Sequence, residues 1–207
     1  MDWHPVMAAI PKLPAPPRRE ATYYLDVKRQ SVEAAANEVR LAGDWVQYGV
    51  YDGYTARHLL RYLPPDAELI LLDSFQGLPT DWLPGFPAGT FALDVPPTFA
   101  DDRARVIPGL FADTAADALR GRDLALVHVD CDLYRSTLDA LHACGVLRVG
   151  TVLLLDEYVH ELDGVRTDDE HRALTEWAEQ TGHTFTYLWR TTWTQVCVSI
   201  TRSPAHA

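Results

Sequence analysis

Three short apolar runs each close on an aspartate: ELILLD at 68–73, LALVHVD at 124–130 and TVLLLD at 151–156. Runs of this length without polar alternation suit strands buried on both faces. They are far too short to cross a bilayer. Helix-forming stretches stand between them, so strand and helix alternate. Strands separated by helices demand a mostly parallel sheet covered on both faces, joined by right-handed crossovers.

The remaining elements follow from the same pattern. WVQYGV from Trp45 reads as the first strand and RVI from Arg105 as a short one after ELILLD. Helices are predicted over residues 21–42, at TARHLLRYL, DTAADALRG and STLDALHACGVL, and at DDEHRALTEWAEQTG, where Gly182 supplies the stop. HTFTYLW and TQVCVSI, separated by a few residues, predict an antiparallel pair at the sheet edge. The fold expected is α/β and doubly wound, with a mostly parallel seven-stranded sheet and an antiparallel edge hairpin. Residues 1–20, with five prolines, are expected to form an irregular arm, and residues 21–203 a single domain. The arm would lie across the body or a neighbouring subunit, and a homo-oligomer is expected.

Charge narrows the partners. The 207 residues carry a formal net charge of -11, which repels phosphate backbones and anionic lipid. Neither nucleic acid nor membrane is expected as a partner. The start of the chain shows no basic stretch followed by an apolar core, and the three cysteines form no CxxC pair. A reducing cytoplasm is the expected location.

In doubly wound sheets ligands bind beyond the carboxyl ends of the strands, where strand order reverses. The first strand runs into QYGVYDGYT, where Gly49 and Gly53 bracket a tight turn into a helix. It matches neither GxGxxG nor a P-loop, but glycine lets backbone approach a ligand closely. Asp73 follows Gly53 by twenty residues at the end of the second strand. An acid there takes a ribose diol or caps the next turn, and the glycine turn upstream favours ribose. Asp130 and Asp132 follow the fourth strand; Asp156 and Glu157 follow the fifth. If those strands are neighbours, four carboxylates converge at one crevice mouth, where they repel or take up protons unless a cation joins them. Oxygen donors in that number suit Mg²⁺ better than zinc.

Four stretches together resemble a known family: GDWVQYGVYDGYT, LLDSFQGLP, PGLFADT, and LVHVDCDLYRST with LLLDEY. The chain is similar to the macrocin O-methyltransferase family, metal-dependent class I S-adenosylmethionine (SAM) enzymes that methylate sugar hydroxyls of natural products. The resemblance implies that Asp130, Asp156 and Glu157 ligate Mg²⁺ and that Asp132 is the catalytic base. It further implies that Gln47, Gly49, Gly53, Thr55, Asp73, Ser74 and Asp113 hold SAM, with Asp113 near the adenine end. The family usually has Glu at the position of Gln47, Gly at Tyr54 and Asp at Glu157. The implied acceptor is a small molecule with vicinal hydroxyls.

Two other readings stand beside this one: a non-catalytic SAM-binding protein, and a glycosyltransferase using Asp130–Cys131–Asp132 as a DxD motif. The stretch from Thr80 to Phe99, rich in proline, glycine and aromatics, reads as a flap over the acceptor or as a surface loop packed on the body. His160 is either an auxiliary base or a packing residue. His128 reads as a satisfied core histidine and Cys131 as packing. The aromatics of HTFTYLWRTTWTQV fit edge strands or a subunit contact.

Overall fold

The computed structural model describes residues 4–204; residues 1–3 of the expected arm, like 205–207, lie outside that range. Seven strands form one sheet: β1 (Asp44–Tyr48), β2 (Leu69–Asp73), β3 (Ala104–Pro108), β4 (Leu124–Val129), β5 (Val152–Leu155), β8 (Thr184–Arg190) and β9 (Val196–Arg202). Their order is β3-β2-β1-β4-β5-β9-β8. The first five run parallel, and β9 joins β5 antiparallel with β8 outside it. The expected sheet and edge hairpin are therefore present.

Alternate residues of each strand feed opposite cores, as the pleat requires. Val46, Tyr48, Ile70, Leu72, Val127, Val129, Leu153 and Leu155 face one way. There they meet α4 (Phe111–Ala118), α5 (Tyr134–Ala143) and α6 (Asp169–Thr181) through Ala115, Leu138, Leu141, Leu174 and Trp177. Trp45, Leu69, Leu71, Leu126, Val152 and Leu154 face the other way. They meet α2 (Tyr23–Glu38) and α3 (Tyr54–Leu60) through Val32, Ala35, Ala56 and Leu59. Burial on both faces explains why the strands read as unbroken apolar runs.

Three features depart from the sequence reading. The arm contains a helical turn, α1 (Pro5–Ala9), because proline at the first helical position pre-sets φ and its missing N–H costs nothing there. Met7 and Ile10 are buried with the α4–α6 core, and the backbones of Pro11 and Leu13 exchange hydrogen bonds with Arg190. The helix expected over 21–42 ends at Glu38, where Val39 turns extended. An extra antiparallel hairpin follows β5: β6 (His160–Leu162) and β7 (Val165–Thr167), turned at Asp163 and Gly164, both with positive φ. Asp-Gly is the usual signal for such a turn. The flanking strands are too short to show alternation.

Candidate active site

The parallel strands end level with one another. Gly49 N–H donates to the Leu72 carbonyl (3.0 Å), Asp130 N–H to Tyr48 (2.9 Å) and Asp156 N–H to Val129 (2.9 Å). The residue after each strand is thereby held by its neighbour's last carbonyl. Beyond these ends, at the β1/β4 reversal, lies a cavity of about 1000 Å³. That lies at the upper end for small-molecule sites.

At the β1 side, Gly49 has φ +81°, and a Cβ there would stand 1.8 Å from the Asp130 carbonyl oxygen. Only glycine permits the two strand ends to approach this closely. Asp73 Oδ2 accepts the N–H groups of Val50 (2.7 Å) and Tyr51 (2.9 Å), while Oδ1 accepts that of Phe75 (2.8 Å). Asp73 therefore caps two turns. Its oxygens retain lone pairs, and it lines the cavity with Gly49, Thr55 and Ser74.

Three expected cofactor residues stand outside the cavity lining. Gln47 is buried, and its side-chain amide donates to the Gly49 carbonyl at 2.7 Å, bracing the turn from beneath. Gly53 caps α3 outside the lining. Asp113 is exposed in the first turn of α4 and does not reach the cavity; Leu110, Phe111 and Ala112 line it instead. Each helical residue rotates about 100° from the last, which carries Asp113 past the opening.

At the β4/β5 side the acids converge. Asp130, Asp132 and Glu157 line the cavity, and Asp156 lies just beneath, 1 % exposed. Asp130, Asp132 and Glu157 each offer an oxygen within 4.8 Å of the others, and a ring nitrogen of His128 lies within the same distance of oxygens of Asp130 and Asp156. Asp132 has φ +62° and centres a three-residue turn closed by the Leu133 N–H on the Cys131 carbonyl (2.6 Å). A non-glycine residue held this way stores strain, a common property of functional positions.

The sequence reading missed what surrounds these acids. Lys28, from α2, places its ammonium 2.8 Å from Asp130 Oδ2 and 3.1 Å from Asp156 Oδ2. One turn earlier, the Tyr24 hydroxyl lies within donating reach of Asp156 Oδ2 (3.2 Å) and Glu157 Oε1 (3.3 Å). From α6, the buried carboxylate of Glu170 accepts the backbone N–H of Cys131 (3.4 Å) and of Glu157 (3.1 Å). It ties the turn after β4 to the turn after β5. Tyr24 and Lys28 sit at i, i+4, so they share a helix face. Until α2 docks, nothing says which way that face looks.

Burial and crowding of like charge set the electrostatics. Burial, then the Asp130 charge, pushes the Asp132 carboxyl up to about 8. Burial, then Asp156, also raises Asp130 and lifts Glu157 well above its ordinary range. Burial opposes the charge of Asp156, but Lys28, with help from His128, outweighs it and holds that pKa low. Lys28 itself stays charged: burial works against it, and Asp130 and Asp156 more than compensate.

His128 is core as expected, and its Nε2 faces Asp156 Oδ1 at 3.8 Å, an ion-pair distance longer than a hydrogen bond. Cys131 is buried packing. His160 opens β6 with its ring 5.4 Å from Trp82, and burial lowers its pKa, so it faces the cavity as a neutral imidazole. Trp82, Phe86 and Phe91 of the Thr80–Phe99 stretch all line the cavity. That stretch has its own scaffold, with Leu78 and Thr90, and Trp82 and Phe86, joined by backbone hydrogen bonds. Trp193, between β8 and β9, also lines the cavity. Phe185, Tyr187 and Trp189 lie in the edge strand β8 as expected, so the correction concerns Trp193 alone.

The sheet order with its antiparallel final pair is the Rossmann-like architecture of class I SAM-dependent methyltransferases. Solved structures with this fold include the apo form of CalS11, a TDP-rhamnose 3'-O-methyltransferase of calicheamicin biosynthesis (TM-score 0.56, 19% identity, covering 83% of this chain and 78% of that one). Another is a Bacillus cereus O-methyltransferase in complex with SAH (TM-score 0.52, 13% identity, 92% and 84%). The chain belongs to the methyltransferase-domain family, whose sequence profile matches residues 46–158, more than half of its length. This membership separates it from the glycosyltransferase reading. Among characterised relatives it is 32% identical over 139 residues to the Streptomyces olivaceus 8-demethyl-8-(2,3-dimethoxy-alpha-L-rhamnosyl)-tetracenomycin-C 4'-O-methyltransferase. That match spans 56% of this chain and about half (53%) of the relative. Among the described residues no helix is long and apolar enough to cross a membrane.

Proposed function

We propose that the chain transfers the methyl group of SAM to a hydroxyl of a small polyhydroxylated acceptor, a sugar of a natural product, with Mg²⁺ at the strand-end acids. The observation that carries this reading is the convergence of Asp130, Asp132 and Glu157 on the wall of the cavity that the Gly49–Asp73 turn pair also lines, with Asp156 just beneath. The sugar acceptor rests on the rhamnosyl substrate in the name of the Streptomyces olivaceus relative.

The residues fit both absent groups. Asp73 and Ser74 offer hydroxyl partners at the end of β2, as a ribose needs. At the acids, Asp156 Oδ1 and Glu157 Oε2 are buried without a hydrogen-bond partner. Asp130, Asp132, Asp156 and Glu157 converge there, and the Lys28 ammonium pairs with two of them. Such an excess of buried negative charge favours a divalent cation held by Asp130, Asp156 and Glu157. The chemistry such an ion would supply is a lower pKa for an acceptor hydroxyl bound to it. Asp132, at the cavity surface and in its ionised form, takes the proton as the hydroxyl oxygen attacks the methyl carbon; the methyl–sulfur bond breaks and S-adenosylhomocysteine leaves as a neutral thioether. Trp82, Phe86 and Phe91 cover the acceptor and exclude water, and the strand-end turns hold donor and acceptor in line.

The test is methyl transfer from isotope-labelled SAM to rhamnosides with free vicinal hydroxyls, read by mass spectrometry with Mg²⁺ and with EDTA. Labelled sugar formed with Mg²⁺ and lost in EDTA is expected. SAM binding without transfer to any such acceptor would support the non-catalytic reading instead.

A further inference from the structure

Lys28 does not belong to the set of residues that a cation site needs. It comes from α2, outside the strand-end turns, and its side chain is 12 % exposed. Its ammonium bridges Asp130 Oδ2 and Asp156 Oδ2 at 2.8 and 3.1 Å. Those two carboxylates are the pair that the level ends of β4 and β5 aim at one point. An ammonium is a compact point charge on a flexible stem, able to enter and leave a site of this size.

We propose that Lys28 is a tethered competitor for the cation site: its ammonium holds the position between Asp130 and Asp156 that a divalent ion needs, and the ion binds when Lys28 withdraws. The inference rests on the metal reading of the acids. It deepens that reading by making the chain's own helix a part of the cation equilibrium.

Three observations support it. First, Lys28 and a divalent ion require the same oxygens, since Asp130 and Asp156 both direct Oδ2 at the ammonium. Two cations on the same two oxygens repel strongly in a site this buried. Second, the Lys28 ammonium also sits 5.2 Å from the centroid of the Tyr24 ring, whose hydroxyl reaches Asp156 and Glu157. The α2 face thus caps the acids as a unit. Third, Tyr24, Leu25 and Lys28 line the cavity. Withdrawal of Lys28 therefore reshapes the wall beside the acceptor, so cation occupancy and acceptor fit are linked.

The experiment measures Mn²⁺ binding to the full chain by electron paramagnetic resonance and calorimetry, without SAM or acceptor. Wild type is compared with Lys28→Met and Lys28→Arg; Lys28→Gln takes the place of the methionine variant if that one does not fold. Removal of the charge should tighten Mn²⁺ binding at least ten-fold, and arginine should keep it within three-fold of wild type. Thermal melting gives a second readout. The neutral variant should melt below wild type without metal, and saturating Mn²⁺ should raise its midpoint more than that of wild type. Equal or weaker Mn²⁺ binding in the neutral variant, with wild type binding, would overturn the competition and leave the metal reading standing. No stoichiometric Mn²⁺ binding in any variant would overturn both.

Discussion

Replacing Gly49 with alanine should separate the two strand ends that form the floor of the site. The magnitude has two sources. Gly49 has φ +81°, a left-handed conformation that costs a residue with a Cβ about 1 kcal/mol. Steric contact costs more: the new Cβ would lie 1.8 Å from the Asp130 carbonyl oxygen, against 3.4 Å for the start of ordinary contact. The β1 and β4 ends must then move apart by roughly 1.6 Å, too far to keep the 2.9 Å bond from Asp130 N–H to Tyr48. Losing that bond and the packing around it brings the total to about 4 kcal/mol. For a chain of this size that lowers the melting midpoint by roughly 8–16 °C. Gly85 supplies the control. Its φ of +85° is nearly the same, but nothing lies within 4 Å of a Cβ there. Gly85→Ala should therefore cost only the left-handed backbone strain, about 1 kcal/mol. Urea unfolding measures both, and calorimetry with S-adenosylhomocysteine reads the site. A Gly49→Ala protein within 1 kcal/mol of the Gly85→Ala protein, with unchanged ligand affinity, would refute the claim that this contact shapes the site.

Asp132→Asn should fold and bind S-adenosylhomocysteine within three-fold of wild type while turnover falls at least 100-fold, roughly the contribution of a positioned base; steady-state kinetics beside calorimetry checks this. Glu170→Ala leaves the N–H groups of Cys131 and Glu157 without their acceptor and should cost about 2–4 kcal/mol in urea unfolding. Glu170→Gln, which keeps an acceptor oxygen, should cost less. Trp82→Ala should raise the acceptor KM several-fold and leave the SAM KM within two-fold, as kinetics with each substrate varied in turn would show.

Much of the sheet could be read before any coordinates, because β2, β4 and β5 are buried on both faces and their apolar runs have no competing pattern. Their closing acids were equally plain, since a carboxylate that ends a buried run must sit where the strand meets solvent or a ligand. The β6–β7 hairpin escaped for the opposite reason: three-residue strands carry no periodicity, and the Asp163–Gly164 turn alone does not announce them. Asp113 shows the limit at a helix start, where a shift of one residue decides whether a side chain enters the cavity.

What the linear order of residues determined by itself was the alternation of elements, and with it the line of strand ends where Gly49, Asp73, Asp130 and Asp156 had to meet. Only the docked helices decided what those acids face. Lys28 and Tyr24 reach Asp130 and Asp156 from α2 across 102 and 132 positions of chain, and Glu170 reaches the Cys131 N–H between the acids from α6 across 39. Local pattern reports whether a residue lies on a helix, but not which neighbour that helix face will touch. That choice belongs to packing, and here packing set an ammonium between the two carboxylates on which the proposed chemistry depends.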